Sequence, residues 1–326
     1  MEFICEPENL KDELKLLINL FNTKKIKQIN FNSKIVNDTF YSTITIFSNH
    51  LKTYNYSYKI NSSNIKQFTQ RYAKISLYKA LSKELHSTLK WGSLTGIRPT
   101  KIYKEIVSNI KSSNQNLSSN KILDLAKKDI IKKYFVTRKK AEILKQIYIT
   151  QKEYIGNDKL VHLYINIPFC PTRCEYCSFV ACGIDKFSYL IEPYLNALIK
   201  EITATLNFLK NNNYTISTIY IGGGTPTTLN SEQLDKLLSN LDTLKVKEFT
   251  VEAGRPDTIT KDKLDVLKKH NVTRISINPQ SFSNATLKSI GRHHTKEQII
   301  EAYNLAKPYN FNINMDLIAG LHNEKF

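Results

Sequence analysis

The sequence predicts an α/β fold, a parallel sheet wound with helices and preceded by a small α+β domain, on three observations. From residue 160 onward, short apolar runs alternate with amphipathic segments, which calls for a parallel sheet, either open or closed into a barrel. Before residue 150, three runs alternate polar with apolar residues and helical periods follow, as in an antiparallel meander with one wet face. Between the two regimes lies "YIGNDK" (154–159), a loop by composition, which sets the expected boundary at 1–155 and 156–326. A length of 326 residues suits two domains, and 41% hydrophobic content suffices for their cores.

In chain order, the first element is a helix over about 8–21, followed by the strand-like runs "KQINFN", "YSTITIF" and "YNYSYKI". Helical segments are expected around 64–89, 100–110 and 120–150, with the Ser/Asn stretch "KSSNQNLSSNK" (111–121) as a loop. Five strands follow: "VHLYINI" (161–167), "STIYIGG" (217–223), "EFTVEAG" (248–254), "TRISINP" (273–279) and "FNINMDLIAG" (311–320). Between the first two, Leu195, Leu198, Ile199, Ile202, Leu206 and Leu209 keep helical spacing, with Pro193 near the start where proline is tolerated. Later helices begin at Asn230 or Ser231, at Thr260, and at Thr295 with Gln298 as a capping-box pair. No internal repeat is visible.

The formal net charge of +18 invites a nucleic-acid reading. Against it, 40 Lys stand beside 7 Arg, and arginine is the side chain that grips phosphate bidentately. No apolar run approaches the roughly 20 residues of a membrane span, and "MEFICEPENLKDEL" is too acidic and broken for a signal peptide. A cytoplasmic location is therefore expected, with no membrane partner. Its five cysteines then read as thiols or metal ligands rather than a disulfide framework.

Three of those cysteines, Cys170, Cys174 and Cys177, fall within eight residues in "NIPFCPTRCEYCSF", spaced C-x-x-x-C-x-x-C. They follow a strand directly, and Pro168 and Pro171 exclude a regular helix or central strand, so they sit on a loop at its C-terminal end. Alternating β/α folds build their sites at that end. Three thiolates can hold three irons of a [4Fe–4S] cluster and leave the fourth open. A structural zinc site would need a fourth ligand, from Cys182 or His162.

The spacing, with Tyr176 just before the last cysteine, resembles the radical S-adenosylmethionine superfamily. "YINIPFCPTRCEYCSF", "IGGGTPT", "TVEAGRPDTI", "INPQSF", "IGRHHT" and "NMDLIAGL" occur in the order seen in oxygen-independent coproporphyrinogen III oxidases. "WGSLTGIRPTK" and "EAGRPDT" are similar to the HemZ-type coproporphyrinogen dehydrogenases. The resemblance implies a partial (βα) radical-SAM barrel, TIM-like and incomplete, since "LIAGLHNEKF" stops after the fifth strand where the family continues to a sixth strand and a C-terminal domain. It also implies a [4Fe–4S] cluster on Cys170, Cys174 and Cys177, with S-adenosyl-L-methionine on the open iron.

Further site residues carry over one by one. Tyr164 matches a tyrosine that contacts the cofactor and takes the catalytic assignment; Tyr176 would lie near the adenine. Gly222, Gly223, Gly224, Thr225 and Pro226 match the strip at the methionine end. Independently of the family, glycines at a strand end let main-chain atoms approach a ligand closely. Glu252, Gln280, Arg292 and Asp316 match further cofactor contacts. Adjacent His293 and His294 point to different faces, so they are expected as surface or substrate-side residues rather than metal ligands. Arg98 and Lys101 are candidates for the propionates of the substrate or for domain packing.

The implied function is oxidative decarboxylation of coproporphyrinogen III to protoporphyrinogen IX in heme biosynthesis, driven by a low-potential electron donor. HemN-type decarboxylases extend the cluster loop to a further cysteine, where this chain has Ser178 and Phe179. HemW-type heme-binding chaperones share the shorter loop. A chaperone role and an RNA-modifying radical enzyme therefore remain as alternatives.

Overall fold

The computed structural model describes residues 1–60, 64–94, 98–114, 116–152, 154, 159–179, 181–322 and 324. Residues 155–158 of "YIGNDK", Thr95, Gly96 and Ile97 of "WGSLTGIRPTK", and Asn323, Lys325 and Phe326 of the final stretch lie outside them. The chain divides into two compact units, Met1–Lys152 and Glu153–Phe326.

The first unit opens with β1 (Glu2–Glu6), α1 (Lys11–Ile18), β2 (Gln28–Val36), β3 (Thr39–Phe47), β4 (Leu51–Lys59) and α2 (Ile65–Leu85). The sheet order is β1-β2-β3-β4, antiparallel except that β1 runs parallel to β2. The sequence reading missed β1, because a five-residue strand is defined by a partner some 26 residues away rather than by its own pattern. The meander itself is as expected. Val36 pairs with Thr39 across Asn37 and Asp38, both at positive φ (47° and 56°), the two-residue turn whose twist suits a hairpin. Period-two alternation buries Ile29, Phe31, Phe40, Ile44 and Ile46 against Leu14, Leu17 and Ile18 of α1 and Ala73, Leu77 and Leu81 of α2. Each such side chain contributes about 1.5–3 kcal/mol by leaving water.

A second core joins α3 (Pro99–Ser113), α4 (Ser119–Tyr134) and α5 (Arg138–Gln151) through Tyr103, Ile106, Ile130, Ala141 and Leu144. Two expectations are corrected here. The stretch 111–121 is mostly helix ends, since α3 runs through Ser113 and Ser118 caps α4 by accepting from the Lys121 N–H. The expected helix over 120–150 is two helices, broken where Phe135 takes a left-handed conformation (φ 61°).

The second unit contains β5 (Leu160–Ile167), β6 (Phe169–Cys170), β7 (Cys182–Gly183), α6 (Ile184–Phe187), α7 (Ile191–Asn211), β8 (Thr215–Gly223), α8 (Ser231–Leu238), β9 (Glu248–Glu252), α9 (Lys261–Lys269), β10 (Arg274–Ser276), α10 (Asn284–Ser289), α11 (Lys296–Ala306) and β11 (Asn312–Asn314). Five strands form one all-parallel sheet in the order β11-β10-β9-β8-β5, each beside its predecessor, which is the winding of a partial βα barrel. Ile165, Ile167, Ile219, Ile221, Val251 and Ile275 turn their side chains into a core shared with Leu195, Leu198, Leu234, Leu264 and Ala302 of the helices. The caps fall where the sequence places them. Asn230 with Gln233 and Thr295 with Gln298 form capping boxes, and Thr260 accepts from the Lys263 N–H.

Candidate functional site

The candidate site lies at the C-terminal ends of these strands. β5 stops at Pro168, which has no N–H for a ladder, and the chain continues into the two-residue β6. β6 pairs in parallel with β7, so Phe169 lies beside Cys182 and Cys170 beside Gly183. Cys182 packs against the same core as Phe169, the opposite side from Cys170 in an alternating strand, and is not a member of the cysteine triplet. His162, near the start of β5, bonds Thr218 (2.8 Å) and lies about five strand residues, roughly 16 Å, from the loop end. Neither fourth ligand of the zinc reading is in place.

The glycine strip braces the cysteine loop from below. Gly224 N–H donates to Ile167 O (2.8 Å) and Thr225 N–H to Phe169 O (2.7 Å), while Thr225 Oγ1 lies 3.5 Å from Cys170 Sγ. A Cβ on Gly224 would stand 2.6 Å from Phe169 O and 3.0 Å from Cys170 Sγ. One on Gly223, whose φ is +108°, would stand 2.0 Å from Asn166 Oδ1. Both positions require glycine for close approach.

From the other side the loop is held by "IGRHHT". Glu175 N–H donates to Ile290 O (3.1 Å) and Thr172 Oγ1 to Gly291 O (3.0 Å). Arg292, buried, donates from Nε to the Tyr176 hydroxyl (3.2 Å) and from Nη1 to the carbonyls of Gly254 and Asn278. Burial pushes the Tyr176 phenol up to about 12 against the pull of Arg292. His294 corrects an expectation: it is 2% exposed, whereas His293 is exposed. Neighbouring residues do point apart, but His294 turns inward, 3.7 Å from Asp257 Oδ1 and without a hydrogen-bond partner on either ring nitrogen among the described residues.

Inside the sheet, Tyr164 of β5 is paired with Tyr220 of β8, and their rings stack at 5.9 Å. The Tyr220 hydroxyl donates to Glu252 Oε1 at the end of β9. Burial raises the Glu252 carboxyl above the ordinary range, and the Asp316 charge adds to it. Gln280, at φ +66°, takes a main-chain bond from Ile318 N–H (3.0 Å) and gives one to Asp316 O (2.9 Å), which brings the segment just past β11 beside it, so that the expected strand over 311–320 is a three-residue strand followed by an isolated bridge at Leu317. Tyr220 was not singled out from sequence; the β5–β8 register is what sets it beside Tyr164. Arg98 and Lys101 are exposed at the start of α3 in the first unit.

The residues present fit a cluster and a bound cofactor. Cys170, Cys174 and Cys177 are each half-buried and in no disulfide. Burial raises the Cys170 thiol, Thr225 opposes that, and Cys174 and Cys177 lie close enough to raise it further. Among the described residues no three His, Cys, Asp or Glu side chains converge on a single-ion site; a cluster instead spreads its thiolates over separate irons. Asn278 Oδ1 is a buried acceptor without a partner among the described residues, beside Gly254.

The Radical SAM superfamily profile matches residues 164–326. The oxygen-independent coproporphyrinogen-III oxidase-like protein HemZ of Bacillus subtilis (strain 168) is 42% identical over 248 residues, 73% of this chain and 47% of its own. The heme chaperone HemW of the same organism is 39% identical over 164 residues, 48% of this chain and 42% of its own. Among solved structures, the coproporphyrinogen III oxidase HemN from Escherichia coli, described as a radical SAM enzyme, gives a TM-score of 0.46 at 28% identity, covering 53% of this chain and 40% of its own. The chain spans about half the length of the curated relatives it matches.

Proposed function

The chain belongs to the radical SAM superfamily, and from that premise we propose that it serves the oxygen-independent oxidative decarboxylation of coproporphyrinogen III to protoporphyrinogen IX, using a [4Fe–4S] cluster, S-adenosylmethionine and a low-potential electron donor. One observation carries the choice within the superfamily. The similarity to HemZ runs over 248 residues, about 80 more than the similarity to HemW, and so extends beyond the 164–326 core. Shared sequence outside the common core is where relatives with one core and different roles are told apart.

In this reading Cys170, Cys174 and Cys177 hold the cluster, and the main chain of Gly223 and Gly224 with Thr225 holds the methionine end of the cofactor. Glu252, Gln280, Asp316 and the Asn278 amide supply polar contacts, Tyr176 offers a ring to the adenine, and Tyr164, 56% exposed, faces the reacting region. When bound, the cluster and S-adenosylmethionine supply one-electron chemistry able to take a hydrogen from a propionate side chain. The residues around them orient the reactants and limit water. No helix among the described residues is long and apolar enough to cross a membrane, which suits a water-borne porphyrinogen.

The heme-chaperone reading keeps one supporting observation, the short loop with Ser178 and Phe179 after Cys177. The test is anaerobic incubation of reconstituted protein with a low-potential reductant, S-adenosylmethionine and coproporphyrinogen III. Release of carbon dioxide with consumption of S-adenosylmethionine is expected. Tight stoichiometric heme binding with no decarboxylation would replace this reading by the chaperone one.

A further inference from the structure

Arg255 of "EAGRPDT" sits just past β9 and is 2% exposed, a costly place for a cation. Its three bonded nitrogens meet three partners of different kinds, a carboxylate, a hydroxyl and a thiol. Nε donates to Asp257 Oδ1 (3.3 Å), a single-point contact rather than the two-point fork that neutralises a guanidinium best. Nη2 donates to Thr172 Oγ1 (3.0 Å) and Nη1 to Cys174 Sγ (3.6 Å). The positive charge is thus incompletely matched by Asp257 and is aimed at the cysteine loop. Its field also reaches Cys170.

On the reading that the three cysteines hold an iron–sulfur cluster, we propose that Arg255 is a positioning residue that raises the cluster's reduction potential through its N–H···S bond to Cys174, with Asp257 setting how much of its charge the cluster feels. Reduction adds one electron to an assembly already carrying thiolate charge. A buried cation bonded to a ligand sulfur stabilises the more negative state, since hydrogen bonds to sulfur, net charge and solvent exposure set such potentials. A guanidinium is suited to this because it stays charged and keeps its donors in a fixed plane. Asp257, 24% exposed in its side chain, opposes it. The hydrogen bonds of Arg292 go to the Tyr176 hydroxyl and two carbonyls. His294 lies 3.7 Å from Asp257 Oδ1, the same oxygen that Arg255 Nε meets.

The test titrates the anaerobically reconstituted 326-residue protein with dithionite in the presence of redox mediators, reading the reduced cluster by electron paramagnetic resonance and the iron content separately. Arg255→Gln should keep its iron and be about tenfold harder to reduce, a midpoint about 59 mV lower for a one-electron couple. Arg255→Lys should recover part of that shift, because it restores charge but not the fork. Asp257→Asn should move the midpoint the other way. Full iron with unchanged midpoints in Arg255→Gln and Asp257→Asn would overturn the proposal, as would loss of iron in both, which would make Arg255 only a brace for the loop. If Arg255→Gln alone loses iron, Asp257→Asn decides, and an absent or downward shift overturns the proposal. A parent protein that fails to hold about four irons would instead overturn the cluster reading itself.

Discussion

Burial, with a second carboxylate nearby, makes the Glu252 carboxyl give up its proton later than a free one, against the opposing pull of the Tyr220 hydroxyl that donates to it. Between the ordinary glutamate value, about 4.3, and its raised native value, the folded chain holds a proton that the unfolded chain has lost. Stability therefore falls as pH rises through that window. Glu252→Gln should raise the melting temperature of the ligand-free protein at pH 7, with the gain vanishing below about pH 4, where both states of the parent are protonated. Thermal unfolding at a series of pH values checks this, and a pH-independent difference would contradict it. Glu252 was legible because a carboxylate in a strand is unusual; its partner Tyr220 was not, because a strand tyrosine is ordinary until the register places it beside Tyr164. Arg255 was quoted in a motif yet unassigned, since only the fold brings it to Cys174, 81 residues earlier.

The loop from Cys170 to Cys177 is an element without regular structure of its own, held by the glycine strip below and by residues 290–292 beside it. Replacing Cys170, Cys174 or Cys177 by Ala should abolish iron uptake on anaerobic reconstitution. Cys182→Ala should not, because that side chain packs on the core. Gly224→Ala should behave like a partial cysteine loss, lowering iron severalfold, since its Cβ would press on Cys170 Sγ at 3.0 Å. Iron assays on the purified variants decide each case, and iron lost with Cys182 would return the zinc-type ligand set to consideration. Elements with local signals were the legible ones. Asn230, Thr260 and Thr295 mark helix starts through bonds to residues three positions on. β1, the break at Phe135 and the clamp on the cysteine loop depend on partners far along the chain or on a single backbone angle, which composition does not carry.

At the scale of the molecule, Met1–Lys152 encloses two apolar cores of its own, and Glu153–Phe326 a larger one under its parallel sheet with a small cluster around Leu287, Ile290 and Ile299. Residues 1–152 expressed alone should therefore give a folded protein with one cooperative melting transition by circular dichroism; a gradual, non-cooperative loss of signal would show that the unit depends on its neighbour. Charge decides less. The excess of lysine over arginine is spread through both units, and no motif of the site draws on it. The bond from Thr172 to Gly291 has a further consequence, in the timing of synthesis. The two residues are 119 positions apart, so at a ribosome adding roughly 5–20 residues per second the cysteine loop emerges roughly 6–24 seconds before the segment that clamps it. During that interval the loop lacks its bonds to Ile290 and Gly291. The bonds that fix the loop from this side are complete only in chains made at least as far as residue 291.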